Sequence, residues 1–286
     1  MREESLGEAG TRKNVKTADG VTLSYIEAGT GAPLVAIPGW SQTAEQFKGQ
    51  IEGLSDRYRV IALDMRGHGK SEKPENGYRI ARLATDVHDV IEALDLQDVN
   101  VLGHSMGCSV IWCYWELFGA DRLAKLILVD QMPYIVANST WSDEEKLLAG
   151  ATFTPDTLEG VCNALAGPDG EQITRDVIGS MVTSAMSPET LEWMIQCNLQ
   201  MPRRHAATLL YHLGHQDWRD TIPLLRLPTL VIGGRVSQVS WQSVEWTANQ
   251  IPGAKLEIFE EDEGGHHFLF VENPEKLNRV VADFIG

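Results

Sequence analysis

The chain has 286 residues, of which 43% are hydrophobic and 22% charged, and its formal net charge is −16. That length allows one large domain or a domain with an insertion, and the composition is ordinary for a soluble globular protein. The acidic residues are spread rather than blocked, so they disfavour nucleic acid and anionic membranes as partners but say little about a neutral substrate.

The polar opening "MREESLGEAGTRKN" reads as a loose tail over the first dozen residues and lacks the apolar core of a secretion signal. No stretch approaches the ~18 apolar residues of a membrane span. In "KTADGVTLSYIEAG", apolar Val21, Leu23 and Tyr25 alternate with polar residues after a turn at Asp19-Gly20, which predicts an antiparallel hairpin. "PLVAIPGW" and "YRVIALDMRGHG" are continuous apolar runs, the form of strands buried on both faces. "SQTAEQFKGQIEGLSD", between them, predicts a helix capped by Ser41 or Thr43. Ile80, Leu83, Val87, Val90, Ile91 and Leu94 recur at intervals of three and four, so that segment is an amphipathic helix. "VNVLGHS" predicts a strand, "GCSVIWCYWELFG" an apolar helix, and "RLAKLILVDQ" a strand ending at Asp130.

From 132 to about 222 no buried strand is expected and helical segments follow one another, among them "SPETLEWMIQCNL" with Ser187 as its cap and Pro188 at its first position. The alternation then resumes with "PTLVIGG", "SWQSVEWTANQI", "AKLEIFE" and "NPEKLNRVVADFI". Alternating strands and helices specify a mostly parallel sheet covered on both faces. The helical stretch reads as an insertion at one end of that sheet. The predicted organisation is a core of residues 1–131 and 222–286 with a helical lid, 132–221.

In "VLGHSMGCSV", Ser105 stands between Gly103 and Gly107 where a strand gives way to a helix. A sharp turn there pushes the middle side chain outward, and the flanking residues must be small because strand and helix approach closely. Reactive groups in such sheets gather at the carboxyl ends of the strands. Cys108, Cys113, Cys162 and Cys197 show neither CxxC nor zinc spacing, which suits a reduced, cytoplasmic setting. The "NST" at Asn138 is an idle glycosylation match without secretion. "GHGKS" fails as a phosphate loop because Asp64 stands where the first glycine is required, and no GxGxxG exists.

These motifs resemble the α/β-hydrolase superfamily, in its lidded esterase, lactonase and non-haem haloperoxidase-like branch. "GHSMG" matches the nucleophile elbow, "IPGW" the oxyanion loop, "LDMRGHGKS" the loop after the next strand, and "GGHHFLFVENP" the histidine loop. The resemblance runs from about residue 15 to the C-terminus and implies a mostly parallel eight-stranded sheet. It implies Ser105 as nucleophile. Counting back from "ENP" puts His267 in the catalytic register, with His266 as a neighbour shaping the loop. His104 and His68 are expected to be structural.

The acid departs from the common pattern, because Ser237 occupies the place after "PTLVIGG" where most relatives carry aspartate. Asp130, at the end of the preceding strand, is the leading candidate, ahead of Glu245 and Glu263. The oxyanion hole implied uses the backbone N–H groups of Trp40 and Met106. Pro38 replaces the histidine that often precedes Gly39 and braces the loop. Trp40, Met106, Trp241, Met181 and Phe153 are the expected pocket residues. Trp141, Met186, Met194, Met201 and Leu210 are further apolar lid residues, most of them expected in the lid's own core.

The reading is a cofactor-independent serine hydrolase, an esterase or lactonase cleaving its substrate through an acyl-enzyme. A serine nucleophile argues against the haloalkane dehalogenases and epoxide hydrolases, which use aspartate. The paired late histidines lack a third ligand at metal spacing, so no metal is expected. The expected partner is a small-molecule ester or lactone, without nucleic acid or membrane, and a homodimer is left open. Two alternatives share the scaffold: a perhydrolase of non-haem haloperoxidase type, and a non-catalytic ligand receptor.

Overall fold

The structure, a computed structural model, describes residues 10–286. Residues 1–9 of the expected tail lie outside it. The expected tail of a dozen residues overruns the first strand, β1 (Thr11–Lys16), which already starts at Thr11. β1 is the outer arm of the predicted hairpin and pairs antiparallel with β2 (Thr22–Ala28). The chain continues through β3 (Ala32–Ile37), α1 (Lys48–Leu54), β4 (Tyr58–Leu63), α2 (Ile80–Ala93), β5 (Val99–His104), α3 (Met106–Phe118) and β6 (Leu123–Val129).

Five helices follow without a named strand: α4 (Asp143–Ala149), α5 (Pro155–Ala166), α6 (Gly170–Gly179), α7 (Pro188–Leu199) and α8 (Arg203–Gly214). Then come β7 (Thr229–Gly234), α9 (Trp241–Gln250), β8 (Lys255–Phe259), a short α10 (Leu269–Glu272) and α11 (Pro274–Ile285).

The eight strands form one sheet in the order β1-β2-β4-β3-β5-β6-β7-β8. β2 runs against both its neighbours, and every pair from β4 to β8 is parallel. All parallel strands therefore end on one side, where the loops after β3, β5, β6 and β7 meet. The continuous apolar runs are explained by burial on both faces. In β3, Val35 and Ile37 face the cluster formed with α2 and α3, while Leu34 and Ala36 face the cluster formed with α1 and α11. At about 25 cal/mol per Å² of apolar surface removed from water, such strands form chiefly because of the faces they cover.

The segment expected as a single helix after Ser41 divides in two. A 3-10 turn, Ala44–Phe47, precedes α1, and Thr43 stands at its N-cap with its N–H donated to Gln46 Oε1 at 3.0 Å. Ser41 is no cap. It has φ 56° and belongs to the loop after β3.

Candidate active site

The turn between β5 and α3 is strained at its centre. Ser105 has φ 52° and ψ −122°, a conformation that a residue with a side chain adopts only when its surroundings impose it. A Cβ on Gly103 would lie 2.5 Å from the carbonyl carbon of Gly107, and one on Gly107 would lie 2.3 Å from the carbonyl oxygen of Ile37. Glycine at both positions is what lets β5, α3 and β3 approach while Ser105 points outward. The Ser105 N–H is tied to the Val129 carbonyl at 2.8 Å.

Beside this turn, β6 ends in Asp130, which also has positive φ (52°) and is 1% exposed. Its carboxylate accepts three hydrogen bonds. His267 Nδ1 lies 2.7 Å from Oδ2, the Ser237 hydroxyl donates to the same oxygen at 2.6 Å, and the Gly234 N–H donates to Oδ1 at 3.0 Å. A carboxylate held this way is fixed in position. Ser237, in the loop after β7, contacts the carboxylate that β6 provides.

His267 is 4% exposed and shares a cavity with Ser105. With Nδ1 engaged by Asp130, its Nε2 is the nitrogen left for chemistry. His266 has a different environment. Its Nδ1 accepts the His267 N–H at 2.8 Å, and burial, reinforced by the His267 ring, lowers its pKa. Glu245 is exposed on α9, and the Glu263 carboxylate is paired with Lys276 at 2.6 Å; no hydrogen bond joins either to a late histidine.

The loop after β3 is braced from two directions. His68 is fully buried, and its Nδ1 lies 2.9 Å from the Arg66 carbonyl, so that nitrogen carries the proton. Its Nε2 then accepts the Ser41 N–H at 3.1 Å. Desolvation lowers the His68 pKa to about 4, which keeps that acceptor lone pair free at neutral pH. On the other side, Gln42 Oε1 accepts the Gly39 N–H at 2.7 Å. These two side chains brace the loop in which Pro38 replaces the usual histidine.

Between them, the Trp40 N–H makes no hydrogen bond among the described residues, and neither does that of Met106 at the head of α3. The loop is also strapped to the helices above it. Trp40 Nε1 donates to the Ala206 carbonyl of α8 at 2.7 Å, and the Ser41 hydroxyl donates to Asn198 Oδ1 of α7 at 2.7 Å. His104 is buried under the site. Its Nε2 lies 2.8 Å from the His267 carbonyl and its Nδ1 3.0 Å from Gln42 Oε1. Desolvation first, and the His267 ring second, hold its pKa well below the ordinary histidine value.

The cavity has a volume of about 100 Å³. Trp40, Phe153, Met181 and Leu210 line it. Two expected pocket residues do not. The Met106 side chain is 0% exposed in the core and is not among the cavity's lining residues. Trp241 packs under the Arg235 guanidinium, 4.5 Å from its ring centre. Gln42, Gln131 and Gln238 also line the cavity and carry no motif that would single them out in the sequence. Among the described residues, no Asp, Glu, Lys or Arg lines it. Among the described residues, no group of three His, Cys, Asp or Glu side chains comes together as a metal site requires, and no helix is long and apolar enough to cross a membrane.

This sheet order, with a strained serine after the fifth strand, defines the α/β-hydrolase class. The family model for the alpha/beta hydrolase fold matches residues 32–274, and the chain belongs to that family. A non-heme chloroperoxidase of Kitasatospora aureofaciens is 28% identical over 94% of this chain and 98% of its own. An esterase from Exiguobacterium antarcticum superposes with a TM-score of 0.87 at 25% identity, over 96% of this chain and 99% of that one. A bromoperoxidase from Bacillus anthracis has the same fold, with a TM-score of 0.87 at 23% identity over 96% and 99% of the two chains.

Proposed function

We propose that this α/β hydrolase cleaves a small uncharged carboxylic ester or lactone through an acyl-enzyme on Ser105. The carrying observation is the contact of His267 Nδ1 with buried Asp130 at 2.7 Å, in a ring that shares its cavity with Ser105. In this reading Asp130 sets the tautomer and His267 Nε2 takes the Ser105 proton. Oγ then bonds to the substrate carbonyl carbon as the carbonyl π pair moves to oxygen. The free Trp40 and Met106 N–H groups receive that charge. His267 returns the proton to the leaving alcohol, then activates water to release the acid.

The cavity supports the substrate class. A site of ~150 Å³ suffices for benzene, so about 100 Å³ suits a short acyl group rather than a macrocyclic lactone. A charged acyl group would lose its hydration without gaining a partner. Helices α5, α6 and α8, which supply Val161, Val177, Ile178 and Leu210, act as the lid. The test is Ser105→Ala assayed on p-nitrophenyl acetate: turnover is abolished, and a variant that keeps its rate rules the mechanism out.

A second reading is perhydrolysis, favoured by the likeness to a non-heme chloroperoxidase over nearly the whole chain. Hydrogen peroxide would replace water as acyl acceptor and yield a peracid. Halogenation by the enzyme in acetate buffer with peroxide and bromide, lost in Ser105→Ala, supports it; no halogenation leaves hydrolysis alone.

A further inference from the structure

Ser41 is fully buried and left-handed, with φ 56°. A residue with a side chain keeps that conformation only where its surroundings hold it. Two contacts do so, and they come from different parts of the molecule. Its N–H donates to His68 Nε2 at 3.1 Å, below it in the core, and its hydroxyl meets Asn198 Oδ1 of α7 at 2.7 Å.

The contact with α7 has one direction only. Asn198 is 0% exposed, and its Nδ2 donates to the Met194 carbonyl at 2.8 Å. A carbonyl oxygen only accepts, so the amide end facing Ser41 is oxygen and the serine hydroxyl is the donor. Asn198 is held in its turn. Its own carbonyl accepts from Arg203 Nη2 of α8, and Nη1 of that guanidinium donates to Thr174 Oγ1 of α6 at 2.9 Å. Helices α6, α7 and α8 thus stand together behind the acceptor that Ser41 reaches. Ser41 directly follows Trp40, whose N–H is left unpaired. Were Ser41 to relax to negative φ, the Trp40–Ser41 peptide would turn and the Trp40 N–H would swing with it.

Resting on the hydrolase reading above, we infer that Asn198 is a positioning residue, which through Ser41 holds the Trp40 N–H towards the oxygen of the tetrahedral intermediate. Asn198 does not line the cavity and does not touch substrate. Its effect is to set the donor's direction before the charge forms, which is what makes an oxyanion donor effective. Helix α7 thereby completes a hole whose donors lie on the loops of the sheet.

Asn198→Ala and Ser41→Ala break this bond from its two sides. With p-nitrophenyl acetate, kcat in each is expected to fall at least about tenfold, with KM within about threefold of wild type. A trifluoromethyl ketone, whose adduct with Ser105 Oγ places an oxyanion in the same hole, should bind each variant more weakly by the same factor. The double variant should be no slower than the singles, since the same bond is lost in all of them. Thr183→Val is the control: it removes a different tie between these helices and the core, from Thr183 Oγ1 to the Glu272 carboxylate, and should keep kcat within about threefold. A smaller fall in both single variants would overturn the inference. So would a loss carried by KM, or one that Thr183→Val shares, because the helices would then only hold the cavity together. If Asn198→Ala does not fold, Ser41→Ala decides alone. Wild-type protein inert to esters and to fluorophosphonate would remove the hydrolase reading and this role together; active wild type with equally fast variants removes this role alone.

Discussion

Asp130 and Ser237 show at the residue scale how a departure from the common pattern is resolved. In the proposed triad the acid comes from β6, and the serine after β7 donates to the same Oδ2 that meets His267. Exchanging Asp130 for Asn would leave the ring in the wrong tautomer, and kcat on p-nitrophenyl acetate should fall about 10³–10⁴-fold with little change in KM. Ser237→Ala removes one hydrogen bond to a charged group, worth about 1.5–3 kcal/mol, so a smaller fall of roughly tenfold or more is expected. If Ser237→Ala costs as much as Asp130→Asn, the carboxylate is not the principal support of the ring. Asp130 was legible because it ends the apolar run "LILVD", and Ser237 because it breaks a familiar motif. The link between them was not, since their positions lie 107 residues apart and meet only through the β6–β7 pairing. Trp241, expected in the pocket, instead packs its ring against the Arg235 guanidinium.

At the scale of the element, the β5–turn–α3 unit depends on two glycines that admit no side chain. Gly107→Ala would drive a Cβ to 2.3 Å from the Ile37 carbonyl, so β3 or α3 must shift. Overpacking of this kind costs about 1–3 kcal/mol or more, and a Tm drop of at least ~3 °C together with lost activity is expected in thermal unfolding and ester assays. An unchanged Tm would show that the unit is looser than its contacts imply. Strands β3 to β7 were readable because burial on both faces writes itself as continuous apolar sequence. β1, "TRKNVK", was legible only as the far arm of a hairpin and its start was read as tail, because it is an edge strand with a polar, largely exposed pattern that its backbone pairing with β2 alone places. The split before α1 was equally hidden, since it depends on Gln46 reaching back to Thr43.

Across the whole molecule, the loops after β3 and β4 depend on buried neutral histidines, and stability should register it. The ordinary histidine pKa is 6.5, whereas His68 in the fold sits at about 4. Its neutral form is fully accommodated above pH 6.5, and the unfolded chain gains a proton first as pH falls from 6.5 towards 4. Stability is therefore lost through that window, by about 3 kcal/mol from His68, and His104 acts in the same direction. Urea midpoints measured across this range should fall with pH for wild type and less steeply for His68→Asn; equal slopes would contradict it. The uncharged cavity of about 100 Å³ also makes a prediction about substrates. Acetyl and butyryl esters should exceed a succinyl half-ester by roughly 100-fold in kcat/KM, about the 2–3 kcal/mol of an unpaired buried polar group; parity would mean that the charge never enters. The most direct test of the acyl-transfer account is mass spectrometry of rapidly quenched protein during turnover of p-nitrophenyl acetate. An acetyl group on the peptide containing Ser105, absent from Ser105→Ala, is the predicted result, and steady turnover with Ser105 unmodified at every quench time would contradict it.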